Sequence, residues 1–480
     1  MLLNTALLPA GRFLRFGAIA LAFLLLAFLS QHLFFKSDYL QTLYTASDNL
    51  HIAVFATSGN YHLCQLHMSA ALMGYPAHTL INWDDPEDED PMKQHLAKIE
   101  GALKYLEALP ADNQDDLVFM VDGYDLWFQL PHSYIVKRYR DVVQKSHARH
   151  VAELGEALVA KHNIRNTVLF GPDKQCAPAG RDHASCWAVP ESWMPPLSFG
   201  PDTDHGKDTH NRPRWLNSGT IIGPARELRD VFAAALERNK NQHLTDSDQF
   251  YFASLFGEQS YARRLLKLEH DKQRGLDTAG DEEFLNPKPS DESRKVPELK
   301  GRVEYFIGLD WSSAIFQTTG FYADYIAWIR HNESSPYVTS QSKKIGNYHH
   351  HFAEQDDLVG RGPPGTPPLG KIDPALRRWK SLPLATNTAS RNVVPVMHIN
   401  GKKGYRILWW PRMWFFPYIE QMMKELRGGG GGGGRERKGD ERNALDGAKT
   451  FNKGGAGWVD WKDVCGKYEE RLMGKSREPN

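Results

Sequence analysis

The chain has no excess of charge of either sign: its 480 residues carry 58 Lys and Arg against 58 Asp and Glu. Nucleic-acid binders and polybasic membrane-surface proteins ordinarily show a basic excess, so the balance argues against nucleic acid as a partner. Cysteine is also scarce. Four residues, with no C-x-x-C, are too few for a disulfide-built scaffold and too scattered for a Cys-based zinc site. Internal repeats are absent, and long apolar runs are confined to the N-terminus. What is present suffices for one large or two modest cored domains: 41% hydrophobic residues, with 13 Trp and 18 Tyr that suit a carbohydrate-handling surface.

The single apolar run extends from Phe16 to Leu29 and resumes after Ser30, Gln31 and His32 with Leu33, Phe34 and Phe35. Its length is about the ~20 residues that cross a bilayer as a helix. Arg12 and Arg15 precede it, and the first acid is Asp38. The pattern predicts a transmembrane signal anchor over 16–35, a cytosolic tail over 1–15 and a stem over 36–50. The bulk of the chain is then lumenal, in a single-pass type II protein of the Golgi or endoplasmic reticulum membrane. The ending Arg477-Glu478-Pro479-Asn480 carries no retention signal, which points to the Golgi. A cleaved signal peptide is the alternative, although Phe28 and Leu29 fit a cleavage site poorly. Lumenal placement makes Asn332-Glu333-Ser334 a glycosylation sequon. It also allows Cys176 and Cys186, ten apart in a Pro/Gly-rich loop, to pair; Cys64 and Cys465 have no obvious partners.

Beyond the stem, strand and helix patterns alternate. His51 to Thr57 and Tyr75 to Trp83 read as strands, Tyr61 to Met73 as a helix, and Asp84 to Asp90 as an acidic loop. Lys93 to Leu109 is amphipathic, with Leu96, Ile99, Leu103, Leu106 and Leu109 near one face. Leu117 to Val121 is a continuous apolar run, as in a strand covered on both faces. Further strands are expected at 167–170, 219–223 and 393–399, and a helix at 225–238. This predicts an α/β layered domain over 51–425, with loop insertions near 268–300 and 340–390. Seven glycines from Gly428 to Gly434 open a low-complexity tail over 426–480. No fixed structure is expected there except a short Trp-bearing helix around 458–472.

Four motifs carry chemistry. Asp122-Gly123-Tyr124-Asp125 follows the apolar strand directly. It sits where open α/β sheets bind ligands, and two close carboxylates repel unless a cation lies between them. Hard divalent ions take such oxygen ligands and bridge to phosphate; a solvated acidic turn is the alternative. Val396-Met397-His398-Ile399-Asn400-Gly401-Lys402-Lys403-Gly404 ends a strand with an imidazole and a basic turn suited to metal and phosphate, or holds a structural histidine. Asn217-Ser218-Gly219 permits close approach to backbone. Asp246-Ser247-Asp248-Gln249 opens a helix, as a cap or as a sugar-binding group.

In order, these motifs and Leu309 to Gln317 resemble the glycosyltransferase domain of the procollagen lysyl hydroxylase/glucosyltransferase family and related fungal GT-A transferases. The resemblance is patchy over roughly 51–410, includes Ala56-Thr57 and Lys98-Ile99, and is most specific in VFMVDGYDLWF. It implies a GT-A-like nucleotide-sugar-binding domain, a Rossmann-like mixed sheet flanked by helices, behind the transmembrane helix. Asp122, Asp125 and His398 would hold Mn²⁺ (or Mg²⁺) against the diphosphate of a UDP-sugar. Asn400, Gly401 and Lys403 would lie near the diphosphate, Thr57 near the nucleotide, and Asn217 in the sugar pocket. Asp246 and Asp248 would serve the sugar and a glycan or glycoprotein acceptor, Asp248 being the first choice for a base. Two departures stand out: Ser247 interrupts the acidic triplet, and about 80 residues, including His349-His350-His351, separate Gln317 from His398. The family also contains hydroxylases, but no H-x-D occurs here. A two-carboxylate glycoside hydrolase and a non-catalytic sugar-binding or scaffolding protein are the remaining alternatives.

Overall fold

A computed structural model describes residues 49–85, 91–242, 247–286, 294–331, 378–428 and 442–475. The strands are β1 (Leu50–Phe55), β2 (Thr79–Ile81), β3 (Leu117–Asp122), β4 (Leu126–Phe128), β5 (Val168–Asp173), β6 (Trp215–Pro224), β7 (Ile307–Leu309), β8 (Phe316–Thr318), β9 (Ile326–Ile329), β10 (Leu384–Asn387), β11 (Asn392–Val393), β12 (Val396–His398), β13 (Gly447–Asn452) and β14 (Gly455–Asp460). Eight of them form one mixed sheet in the order β14-β13-β2-β1-β3-β6-β5-β7. β13, β2, β1 and β3 run parallel, whereas β6 is antiparallel to both β3 and β5. The arrangement is compatible with a Rossmann-like sheet.

The longer helices are α1 (Tyr61–Leu72), α2 (Pro91–Ala108), α3 (His132–Leu154), α4 (Ala225–Gln242) and α5 (Asp248–Gln273) in chain order. Helices α2, α4 and α5 pack on one face of the large sheet, whereas α1 is buried from Leu63 to Leu72. In α4, Leu228, Val231, Phe232 and Ala235 recur at helical spacing and are all buried. They join Ile99, Ala102 and Leu106 of α2 and Tyr251, Phe252, Leu255 and Phe256 of α5 against Ala53, Val118 and Met120 of the sheet. A second sheet, β4-β12-β8, is built from chain segments far apart in sequence. β12 pairs antiparallel to β4 and parallel to β8, so His398 lies opposite Leu126 on one side and Thr318 on the other. The long insertion between Gln317 and His398 therefore leaves from and returns to neighbouring strands.

The sequence-based picture needs correcting in three places. Among the described residues no helix is long and apolar enough to cross a membrane. Even the 26-residue α5 carries charges along its length, including Glu258, Arg263, Arg264 and Lys267. The stretch 16–35 lies outside the described residues, and no described helix supplies the expected anchor, so the transmembrane helix, the type II topology and the Golgi or endoplasmic reticulum assignment are without structural support. Residues 268–285 continue α5 and form a further short helix, Ala279–Leu285, instead of a loop. Their charges are matched: Lys267 and Arg264 ion-pair with Asp281, and Lys272 with Glu282. The C-terminal segment is not a tail either. β13 adds in parallel to β2, and β14 folds back on β13. Ala448 and Thr450 turn inward while Lys449 is exposed, the alternation of a half-covered strand. Asn332, His349-His350-His351 and most of the glycine run lie outside the described residues.

A disulfide ties this segment to α1. Cys64 on α1 is disulfide-bonded to Cys465, 401 residues away, and both are fully buried. Cys176 and Cys186 are bonded as the loop spacing allowed. Beside the first bridge, His67 Nε2 and His78 Nε2 face each other at 3.1 Å in a fully buried pair, with Trp461 edge-on to His67. Burial holds His78 down at about 3, and His67 well below its ordinary value, so both rings are neutral in the fold. The unfolded chain protonates them near 6.5. The stability tied to the neutral pair is complete above that pH and is lost as pH falls from 6.5 toward 3.

Two outcomes are expected. Replacing Cys64 and Cys465 together by serine lowers unfolding free energy by about 2–5 kcal/mol in denaturant titration. The stability advantage of the wild type over His78→Asn narrows by about 2 kcal/mol between pH 7 and pH 5.

Candidate functional site

The junction of the two sheets builds the site. Asp122 is the last residue of β3 in the large sheet, and Asp125 directly precedes β4 in the small one. The Gly123-Tyr124 link between them is tightly seated: a Cβ on Gly123 would lie 2.6 Å from the Phe55 carbonyl oxygen. β12 carries His398 alongside β4, and the Ile399 N–H donates to the Asp125 backbone carbonyl at 2.6 Å. One ligand atom from each of Asp122, Asp125 and His398 can be chosen so that all lie within 4.8 Å of one another, and these residues could hold a metal ion. His398 Nε2 is 3.4 Å from Asp125 Oδ1 and 3.7 Å from Asp122 Oδ2. Asp125 and His398 are buried, while Asp122 is partly open to solvent.

The donor set fits a divalent cation. Asp125 divides its two oxygens: Oδ2 takes the Lys403 ammonium at 2.7 Å, and Oδ1 is buried with no hydrogen-bond partner. That oxygen faces the His398 ring at 3.4 Å, and a buried carboxylate oxygen without a hydrogen bond is costly unless a cation meets it. Burial pushes the Asp125 carboxyl up, but His398 and Lys403 outweigh it and hold the group well below the usual carboxylate range. Burial pulls His398 down, and Asp125 and Asp122 outweigh that, leaving the imidazole raised.

A cavity of about 550 Å³ opens over these groups. Its lining includes Thr57, Asn217, Asp248, Asn400 and Lys403 together with Asp122, Asp125 and His398. Gly401 adjoins it at a turn with φ +79° but is not part of the lining. Asp246 lies outside the described residues, and Asp248 is the first residue of α5, after the N-cap Ser247. Two assigned side chains prove to be engaged internally. Asn400 Oδ1 accepts the N–H groups of Thr319 and Gly320 at 2.8 and 2.7 Å. Asn217 Oδ1 accepts from Gly219 N at 3.1 Å, and its Nδ2 donates to Asp173 at 3.4 Å.

Three contributors were not assigned from the sequence, and a fourth, Gly219, was read there as permitting close approach to backbone. Lys98 of α2 reaches across to Asp122 at 2.6 Å and Asp248 at 3.1 Å. Burial disfavours its charge, but the two carboxylates outweigh burial and raise its pKa. Tyr124 accepts the N–H groups of Thr57 and Ser58 on its hydroxyl at 3.0 and 3.1 Å, bracing the loop after β1. Arg406 donates to the Tyr124 carbonyl at 3.0 Å and lines the cavity. Gly219 lies beneath the metal candidates: a Cβ there would be 2.7 Å from His398 Nε2 and 2.8 Å from Asp122 Oδ2. Each has a sequence cue. Lys98 flanks the apolar stripe of α2, Tyr124 sits inside D-G-Y-D, Arg406 closes the basic turn, and Gly219 separates Ser218 from Thr220.

Compared with known proteins, the chain matches no family model and no curated protein.

Gly219→Ala is expected to displace His398 or Asp122. Isothermal titration with Mn²⁺ should show at least about tenfold weaker binding than wild type, with the circular dichroism spectrum unchanged.

Proposed function

We propose that the protein is a metal-dependent glycosyltransferase moving a sugar from a UDP-sugar to a hydroxyl of a glycan or glycoprotein acceptor. The observation that carries this reading is the convergence of Asp122, Asp125 and His398, with a buried Asp125 oxygen that makes no hydrogen bond, on one cavity that also receives Lys403 and Asp248. Asp122, Asp125 and His398 would hold the ion, and an imidazole among the ligands favours Mn²⁺ over Mg²⁺. A bound divalent ion supplies Lewis-acid stabilisation of negative charge on a diphosphate leaving group.

The chain's own residues do the rest. Lys403 and Arg406 bring two cationic groups to the wall where a diphosphate would lie. Tyr124 keeps the Thr57-Ser58 backbone at the cavity edge, on the nucleotide side of the reading. Lys98 pins the Asp248 carboxylate against the cavity, where it can accept a hydrogen bond from an acceptor hydroxyl and hold it in line. The hydrolase alternative needs one carboxyl kept protonated as an acid. Asp125 is held charged by His398 and Lys403, which does not favour that role.

The test is release of UDP from a panel of UDP-sugars by the purified protein, with and without Mn²⁺. Metal-dependent release is expected, and Asp125→Ala should reduce it at least about a hundredfold. Full metal-dependent release by that variant would refute the site. Nucleotide binding without any release would favour the sugar-binding alternative.

A further inference from the structure

The floor of the site is an irregularity in β6. Along β5 and β6, Leu169 pairs with Ile222 and Phe170 with Ile221, but the next residue, Gly171, pairs with Asn217. Ser218, Gly219 and Thr220 therefore bulge out of this ladder, and the bulge brings the Gly219 backbone against His398 and Asp122. Bulges beside functional sites re-aim what they carry and require something to hold them. Here the holding group is Asn217 at the start of the bulge, whose carboxamide grips Gly219 N with its oxygen and Asp173 Oδ2 with its nitrogen.

Asp173 is itself anchored. It ends β5, and its Oδ1 accepts the Lys174 N–H at 2.7 Å. The Lys174 side chain is fully buried, donates to the Thr209 carbonyl at 2.6 Å, and places its Nζ 3.3 Å from the centre of the Phe199 ring and 4.4 Å from that of Tyr325. Burial pulls its pKa well below the ordinary lysine value, and this packed, hydrogen-bonded amine immobilises the residue after Asp173. None of these groups lines the cavity, and the bulge connects them to the candidate metal site, beside a direct electrostatic interaction of Asp173 with His398.

We propose that Asp173 is a positioning residue for the candidate metal site, acting through Asn217 on the Ser218–Thr220 bulge. Groups hydrogen-bonded directly to metal ligands typically alter metal affinity about 10–100-fold when removed; Asp173 acts one contact further back, so the lower end of that range is expected. The inference rests on the metal reading above, and its test separates the two. The full-length protein and the variants Asp173→Ala, Asn217→Ala and the double variant are titrated with Mn²⁺ alone, followed by electron paramagnetic resonance of free ion, and their melting temperatures are recorded. Asp173→Asn, which retains one acceptor oxygen, serves as the milder variant should the alanine form fail to fold.

Each single alanine variant is expected to bind Mn²⁺ about tenfold more weakly. The double variant should be no weaker than either, because both act along one path. Asp173→Asn should lose less than Asp173→Ala. Asp310→Asn, at a fully buried carboxylate that accepts the backbone N–H groups of Ala314, Ile315 and Phe316, should melt earlier yet keep wild-type Mn²⁺ affinity. Wild-type affinity in a folded Asp173 or Asn217 variant, or additive losses in the double variant, would overturn the positioning role while leaving the metal site intact. Absence of Mn²⁺ binding by the wild type would overturn both.

Discussion

Crowding of like charge at the edge of the large sheet is the constraint around which the rest of the site is arranged. Asp122, Asp125 and Asp248 all face one cavity. Two unit charges 4 Å apart near a protein surface repel by about 4 kcal/mol, so such a group stands only if cations are interleaved with it. The fold delivers them from distant parts of the chain: Lys98 from α2, and His398 and Lys403 from β12 and the turn that follows. Helix packing, strand register and the C-terminal half of the domain are thereby tied to one electrostatic requirement.

The geometry also explains why the site lies at a seam. Asp122 belongs to one sheet and Asp125 to another, and the two residues between them are the only covalent bridge at that point. Pairing of β12 with both β4 and β8 fixes the imidazole laterally, while Gly219 presses from the β6 side. The three candidate ligands are thus held by three separate strands and by a backbone contact that tolerates no side chain. Such a site is preorganised, and small shifts in any one strand reach it.

Much of this was legible in the chain itself. An uninterrupted apolar strand followed by two aspartates suggested a sheet-edge anionic pair because that signal is local, whereas the histidine at the end of a late strand also read as structural and joined the pair only through the family resemblance. The helices α2 and α4 were legible for the same reason, since their apolar spacing is unbroken. Lys98 was not, because one lysine near an apolar stripe has the same pattern as a solvated side chain. Asn217 was read as a pocket group and does line the cavity, but its bond to Asp173 depends on strand register and could not be read from the sequence. The pairing of Cys64 with Cys465 and the addition of β13 to β2 are long-range matters that no window of sequence contains. Short, glycine-bearing strands after a low-complexity run also imitate a tail in composition.

The place of β13 has a consequence for how the domain is made. β2 is synthesised early, but one of its two neighbours in the sheet is β13, which emerges from the ribosome only after more than three hundred further residues. At bacterial-to-eukaryotic translation rates this interval is roughly tens of seconds. During it the β2 edge stands unpaired and Cys64 has no partner thiol, so the nascent domain depends on late closure of its first-made half. Assembly of this fold is therefore completed by late-made strands, and a chain stopped short of residue 447 leaves an open strand edge of the kind that recruits other chains.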